Sequence, residues 1–179
     1  MRFGDGITIE EYENLPNALA RGRELIDGEL VDVSDRTAYH NMLRDLLLVL
    51  LAPVARERKL GTIICGQAFD FDGNAHGPDV SLIGAAKLHL IEGERRVQLF
   101  VPDLAIEIVS ANEKFGFLMR KAARYRKCGT REVWVLEPHV RQAFLLSEER
   151  QVILNDDQMF ESKLLPGFSI RLGELFDEA

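Results

Sequence analysis

Two acidic residues that stand 28 positions apart are the strongest candidates for chemistry in this 179-residue chain. Asp79 follows a proline and opens an apolar, strand-like run, whereas Glu107 interrupts the apolar run Leu104-Ala-Ile-Glu-Ile-Val109. Side chains alternate along a strand, so Glu107 shares a face with Ala105 and Val109. A carboxylate among buried neighbours is costly unless it is paired or binds a metal. Two interpretations stay open: an ion pair with an arginine of a basic helix, or metal ligation.

Metal ligation is favoured by the combination of the two acids. Two carboxylates and one backbone carbonyl, here that of Ile108, would offer hard oxygen ligands to Mg²⁺ or Mn²⁺. Such an ion activates water and neutralises the charge that builds on a phosphodiester. The predicted metal ligands are therefore Asp79, Glu107 and Ile108, and the alternative for Asp79 is a Pro-Asp turn.

A basic group is expected to approach from the helix predicted over Lys114–Lys127. Lys121 lies on one helical stripe with Phe117, Leu118 and Tyr125, which predicts that it faces inward. An ammonium there could orient or deprotonate an attacking water and stabilise developing negative charge. The alternative is a lysine whose aliphatic stem covers the edge of the core.

The elements that must position these residues indicate an α/β fold. The strongest helical pattern covers Ser34–Arg58, where Leu48 and Val49 widen the apolar stripe, and strand-like runs follow Gly61. These runs predict a mixed central β-sheet flanked by helices, in a single domain over residues 1–179. Before them, a hairpin turn at Asp27-Gly28 would set Glu24 and Glu29 on one face of two short strands.

Composition excludes several classes of protein. The longest apolar run has ten residues and contains Pro53, whereas a membrane-spanning helix needs about 20. Two cysteines in no metal or redox spacing exclude a zinc finger and a disulfide scaffold, and predict a cytoplasmic protein. The net charge of −7 disfavours nucleic-acid binding when taken alone, but six basic residues and no acid lie between Arg120 and Arg131. That run is either a solvated helix face or a phosphate-facing patch.

The ordered set of motifs resembles the Uma-two (Uma2) family of bacterial restriction endonucleases, within the PD-(D/E)XK nuclease superfamily. The resemblance covers roughly residues 7–175. It is carried by Glu24-Leu-Ile-Asp-Gly-Glu-Leu, His40, Pro78-Asp79-Val-Ser, Asp103-Leu-Ala-Ile-Glu-Ile-Val-Ser110, Lys121 with Tyr125, and Arg131-Glu-Val-Trp-Val-Leu-Glu-Pro138.

The resemblance implies a restriction endonuclease-like fold, a divalent metal, DNA as substrate and a homodimer. It implies catalytic roles for Asp79, Glu107, Lys121 and Glu24. The superfamily places a lysine two residues after the glutamate, where this chain has Val109, so the resemblance implies that the lysine has moved to Lys121.

The leading hypothesis is a Mg²⁺- or Mn²⁺-dependent endonuclease that hydrolyses DNA phosphodiester bonds. A second hypothesis is a catalytically inactive nuclease fold that serves as a DNA-binding or assembly module. It is favoured by Phe117, which stands where the family has an acid, and by the acidic surface expected from the net charge. Ala111, which stands where the family has a proline, is a further departure from the family pattern. A third is a structural role in which the two acids form salt bridges. The roles of Glu29 and His40 stay open, although a helix-start histidine satisfied by backbone is favoured for His40, and His76 is interpreted as a loop residue.

Overall fold

The computed structural model describes residues 6–33, 36–110 and 114–179. Its helices are α1 (Ile9–Glu13), α2 (Asn17–Ala20), α3 (Ala38–Glu57), α4 (Phe115–Lys127) and α5 (Leu172–Asp177), and a 3₁₀ helix covers Ala85–Leu90. The strands are β1 (Arg23–Ile26), β2 (Glu29–Asp32), β3 (Gly61–Cys65), β4 (Ala68–Asp70), β5 (Ala75–His76), β6 (Val80–Gly84), β7 (Val97–Gln98), β8 (Leu104–Ile108), β9 (Glu132–Glu137), β10 (Gln142–Ser147), β11 (Gln151–Leu154), β12 (Met159–Glu161) and β13 (Ser169–Arg171). Within these ranges, no helix is long and apolar enough to cross a membrane.

A mixed sheet of six strands, in the order β11-β10-β9-β8-β6-β3, forms the centre of the fold. Strands β8 and β9 run parallel, and the other neighbours run antiparallel. One face packs against α3 and α5, where Leu43, Leu47 and Leu51 are fully buried. The other face packs against α4 through Leu118 and Ala122. The predicted mixed sheet flanked by helices is confirmed.

The N-terminal hairpin belongs to a second sheet, with the strand order β2-β1-β5-β4-β7, which the sequence did not separate from the central one. Its predicted register is confirmed, because Leu25 lies opposite Leu30 and Ile26 opposite Glu29. Asp27 and Gly28 both have positive φ, 49° and 81°, as a two-residue type I′ hairpin turn requires. A third sheet pairs β12 with β13.

Helix α3 differs from its prediction on one face. Thr37 caps it by accepting a hydrogen bond from the backbone N–H of His40, and the predicted start at Ser34 lies outside the described residues. Val49 was expected to widen the buried stripe but is 67% exposed. It stands two residues from both Leu47 and Leu51, which turns it roughly 200° around the helix from that buried face.

Candidate active site

Glu107 lies on the face of β8 that packs against α4. Ala105 and Val109, two residues away on either side, are buried with Leu118, Ala122 and Tyr125, while the intervening residues of β8 face α3. The predicted alternation is therefore confirmed. Because positions 118, 121, 122 and 125 share one side of a helix, the same packing aims Lys121 and Tyr125 at the strand.

Two polar groups contact the carboxyl group of Glu107. The Nζ of Lys121 lies 2.9 Å from Oε1 of Glu107, and the Tyr125 hydroxyl donates a 2.6 Å hydrogen bond to the same oxygen. Glu107 and Lys121 are only 4% and 6% exposed. The inward orientation predicted for Lys121 is confirmed, and the alternative of a lysine at the edge of the core is wrong.

Lys121 also joins Glu24 to this cluster. Its Nζ donates a 3.1 Å hydrogen bond to Oε1 of Glu24, which is 6% exposed. Glu24 accepts two further hydrogen bonds, from the backbone N–H of Gly77 at 3.1 Å and from the His76 ring at 2.9 Å. The pairing of Leu25 with Ala75 explains the last contact, since Glu24 and His76 lie one step along the same strand pair.

Asp79 forms a second cluster with a residue of the first turn of α3 and a residue just before that helix. Its Oδ2 lies 3.1 Å from Nε2 of His40 and accepts a 2.9 Å hydrogen bond from the backbone N–H of Ile108. Its Oδ1 lies 2.9 Å from the Arg36 guanidinium. An ionised carboxylate only accepts hydrogen bonds, so Nε2 of His40 carries a proton in this contact.

The two clusters adjoin because β6 and β8 pair antiparallel. Val80 lies opposite Ile106, so Asp79 stands one step beyond that pair, at the level of Glu107. The amide of Ile108 then reaches Asp79 directly. Five residues predicted for the site, Glu24, Asp79, Glu107, Ile108 and Lys121, thus lie in one contiguous region.

Burial and neighbouring charges shift the pKa values of the carboxyl groups of Glu107 and Glu24 in opposite directions. Burial is the largest influence on Glu107 and, with the negative charges of Asp79 and Glu24, raises its pKa to about 8 despite the ammonium of Lys121. Burial acts in the same direction on Glu24, but Lys121 and the hydrogen bond from His76 outweigh it and lower the pKa of Glu24 to about 2. The site therefore contains carboxyl groups with opposite preferences for a proton.

The pKa of Asp79 is lowered as well. Burial again opposes ionisation, but the hydrogen bond from His40, the charge of Arg36 and the amide of Ile108 outweigh it. Asp79 is therefore held as a carboxylate within the fold. A carboxylate of this kind suits either a structural ion pair or a cation.

Two histidines differ from their sequence interpretation. His76 is not a loop residue, since it ends β5, is 1% exposed and holds Glu24. Among the described residues, Nε2 of His40 reaches Asp79 rather than a backbone group, and Nδ1 is buried without a hydrogen-bond partner. Neither contact follows from local sequence, because each joins residues at least 39 positions apart.

Other candidates lie outside the carboxylate clusters. Glu29 is exposed, on the hairpin strand next to the one that carries the buried Glu24. Phe117 is half-buried in the first turn of α4 and lies under the Arg120 guanidinium at 5.9 Å. Ala111, where the family has a proline, lies outside the described residues.

The donor set fits a hard divalent cation. Asp79 and Glu107 supply carboxylate oxygens, and the hydrogen bond and ion pair described for Glu107 both fall on Oε1. In the part of the chain that the structure describes, no group of three or more His, Cys, Asp or Glu side chains is arranged as a metal site. Mg²⁺ commonly binds through only one or two carboxylates and keeps several waters, so two acids suffice.

Comparison with known proteins finds a matching family model and solved structures of similar fold. Residues 9–173 match the model of the family Uma2, described as "Putative restriction endonuclease". The fold is similar to the 1.96 Å crystal structure of "a putative nuclease belonging to DUF820" from Anabaena variabilis ATCC 29413. That match has a TM-score of 0.85 at 18% identity and covers 96% of this chain and 98% of the other. No match was found among the curated proteins.

Proposed function

This chain belongs to the Uma2 family and has the restriction endonuclease-like fold, and on that premise we propose that it is a divalent-metal-dependent nuclease that hydrolyses DNA phosphodiester bonds. The observation that carries the proposal is the contact of one buried ammonium, that of Lys121, with both Glu24 and Glu107. A lysine beside carboxylates is one residue combination that supports metal-assisted phosphodiester hydrolysis.

Asp79 and Glu107, with the backbone carbonyl of Ile108, would hold Mg²⁺ or Mn²⁺. When bound, the ion would supply an acidified water and neutralise negative charge on the phosphate. Lys121 would orient that water and stabilise the charge that develops on the phosphoryl oxygens as water oxygen bonds to phosphorus and the ester oxygen leaves. In this chain the ammonium would come from helix α4, because Val109 occupies the position on β8's extension where the superfamily has its lysine.

Glu24 is proposed as the positioning residue of the lysine. It accepts hydrogen bonds from His76 and from the backbone of Gly77, so its carboxylate is fixed before it contacts Lys121. A positioned donor loses little conformational entropy when substrate arrives. The order of contacts therefore runs from backbone to Glu24, from Glu24 to Lys121, and from Lys121 to the reacting groups.

A catalytically inactive nuclease fold that binds DNA is the second candidate. Phe117, rather than an acid, occupies the first turn of α4, and every carboxylate of the site already has a partner within the chain. In that case the ion pairs would be structural, as in the third hypothesis from the sequence. The two functions differ in one measurable property, which is turnover.

The test is cleavage of supercoiled plasmid with Mg²⁺, Mn²⁺ or EDTA by wild type, Glu107→Gln and Asp79→Asn. Glu29→Gln is the matched control, because Glu29 carries the same charge but is exposed and outside the clusters. We expect metal-dependent cleavage by wild type and Glu29→Gln, and a loss of at least about 100-fold in the other two. Equal cleavage by all four proteins, or none by wild type, would refute the nuclease assignment.

A homodimer, which the family resemblance implies, is also proposed. Met42 and Val49 are 54% and 67% exposed and stand seven residues apart, so they lie on one face of α3. Exposed apolar residues at heptad spacing are a pattern that helices bury against one another.

A further inference from the structure

A groove beside the candidate active site is lined by five arginines. Its volume is about 540 Å³, and its lining includes Arg21, Arg23, Arg36, Arg95 and Arg96, here called the arginine groove. Glu24 is the only acidic residue described in that lining. A local excess of positive charge is notable in a chain whose net charge is −7.

We propose that the arginine groove binds the phosphate backbone of the nucleic acid and leads it to the carboxylates, with Arg21, Arg36 and Arg95 making the phosphate contacts. This inference rests on the proposed function, because it gives a substrate path to the same site. It places the phosphate contacts outside the basic run of residues 120–131, which the sequence left open as either a solvated helix face or a phosphate-facing patch.

The groove is continuous with both carboxylate clusters. Glu24 and Gly77 line it, and Gly77 donates its backbone N–H to Glu24. Arg36 also lines it and contacts Asp79, while its side chain is 37% exposed. A phosphate in this groove would therefore approach the region between Asp79 and Glu24.

The arginines differ in how many donors the fold already uses. Arg96 donates to the backbone carbonyls of Tyr12 and Leu15, so it serves mainly to hold the wall of the groove. Arg23 donates to Asp32 and to the carbonyl of Leu19, and has a similar role.

Arg95 and Arg21 keep most of their N–H donors for a ligand. Arg95 donates only Nε to the carbonyl of Val97, and its ion pair with the exposed Glu92 is long, at 3.7 Å. Arg21 is exposed and makes no hydrogen bond or ion pair through its side chain with any residue in the described ranges. A guanidinium has five N–H donors and binds phosphate in bidentate geometry, so these residues keep donors for a ligand.

The basic residues of α4 are less suitable. Arg124 pairs with Asp27 at 2.8 Å, and Arg126 donates to the backbone carbonyl of Thr130. Lys121 is buried between Glu24 and Glu107. The basic run therefore uses Arg124, Arg126 and Lys121 for contacts within the fold, and its exposed Arg120 and Lys127 do not line the groove.

The experiment measures the affinity of a fluorescently labelled 20-base-pair duplex as a function of salt, with Ca²⁺ replacing Mg²⁺. Wild type is compared with Arg21→Ala/Arg95→Ala and with the matched control Arg120→Ala/Lys127→Ala. The control also removes two positive charges, but from exposed positions of α4 that do not line the groove. Circular dichroism and thermal unfolding confirm that all three proteins are folded.

We expect affinity of the groove variant to fall on the order of tenfold at low salt, and its log–log salt slope to decrease by about 2 relative to wild type. The control should keep the wild-type slope. Equal slopes in the groove variant and wild type, an equal loss in both variants, or no binding by wild type would overturn the groove assignment.

Plasmid cleavage is measured in parallel on the same preparations, so that the two proposals fail separately. If cleavage depends on Glu107 but the salt slope of the groove variant is unchanged, the nuclease function is retained and phosphate binding by the arginine groove is rejected. A reduced slope without cleavage by wild type would leave the groove as a nucleic-acid site and reject the nuclease.

Discussion

Lys121 and Glu107 come from a helix and a strand that pack face to face, and Nζ of Lys121 lies 2.9 Å from Oε1 of Glu107 in the interior. Neither residue can move without disturbing the other, because Lys121 also contacts Glu24 and Glu107 also accepts from Tyr125. The contact therefore joins the central sheet, helix α4 and the N-terminal hairpin.

Mn²⁺ is expected to stabilise wild type against thermal unfolding by RT ln(1 + [L]/Kd), about 2.7 kcal/mol at 100 times Kd. Asp79→Asn and Glu107→Gln should lose most of this gain, because each removes a charged oxygen ligand. Glu29→Gln should retain it. An identical Mn²⁺ shift in all four proteins would place metal binding elsewhere.

Lys121→Ala is expected to reduce cleavage by about 10²–10⁴-fold while leaving the Mn²⁺ shift in place. Adding Val109→Lys should restore part of the activity, since position 109 shares a strand face with Glu107. Restoration would be incomplete, because Val109 is 5% exposed and a buried lysine costs stability.

Lys127→Ala, an exposed change on the same helix, is the control for the lysine prediction. The measurement is the single-turnover cleavage rate. A Lys121→Ala protein that cleaves like wild type, in a preparation that still needs Glu107, would remove Lys121 from catalysis.

Acid should destabilise wild type through Glu24. Its pKa of about 2 in the folded protein lies below the ordinary value of 4.5, so its contribution to stability is present above about pH 4.5 and is lost as the pH falls toward 2. Glu24→Gln should flatten this part of the stability profile. Urea unfolding between pH 3 and 6 measures it, and parallel profiles for the two proteins would contradict the assignment.

Tyr125→Phe is expected to destabilise the fold by about 1–2 kcal/mol, because it removes the hydroxyl that donates to the buried Glu107. Tyr39→Phe is a control that also removes one hydroxyl hydrogen bond, but from a half-exposed residue on α3 that donates to the carbonyl of Phe176. Urea unfolding at neutral pH compares them. A loss no larger in Tyr125→Phe than in Tyr39→Phe would show that the buried contact is not stabilising.

Val49→Lys should shift the protein toward monomer if the exposed face of α3 pairs two copies. A charged side chain at the centre of an apolar helix contact is costly to bury. Sedimentation velocity over a tenfold range of concentration measures the shift, with Ile153→Lys on β11 as a control of similar exposure. A wild type that stays monomeric throughout would reject the dimer.

Local pattern was sufficient for much of the site. Alternation along Leu104–Ile108 placed Glu107 on one face, and helical spacing placed Lys121 on the inward side of α4, because both depend on period rather than on distant contacts. The hairpin register followed from the Asp27-Gly28 turn.

Contacts across the chain could not be predicted in this way. His76 contacts Glu24, which lies 52 positions earlier in the chain. The arginine groove combines residues that precede α3 in the sequence with residues that follow it. The exposure of Val49 differs from the prediction because an apolar side chain alone does not decide burial. Helix α5 was missed because Leu172–Asp177 is short and has no side-chain cap at its N-terminus.

The buried ionic contacts of Lys121 lower the free energy of unfolding relative to apolar packing at the same positions. Desolvating the ammonium of Lys121 and the carboxylate of Glu24 costs several kcal/mol per ion, and the carboxyl group of Glu107 adds a further buried polar group. Apolar residues of similar volume are often neutral or stabilising in such positions. A mutational library sorted only for thermal resistance should therefore enrich apolar side chains at 24, 107 and 121. Activity and heat tolerance would diverge first at these three positions, which makes them a natural place for a nuclease to become an inert scaffold.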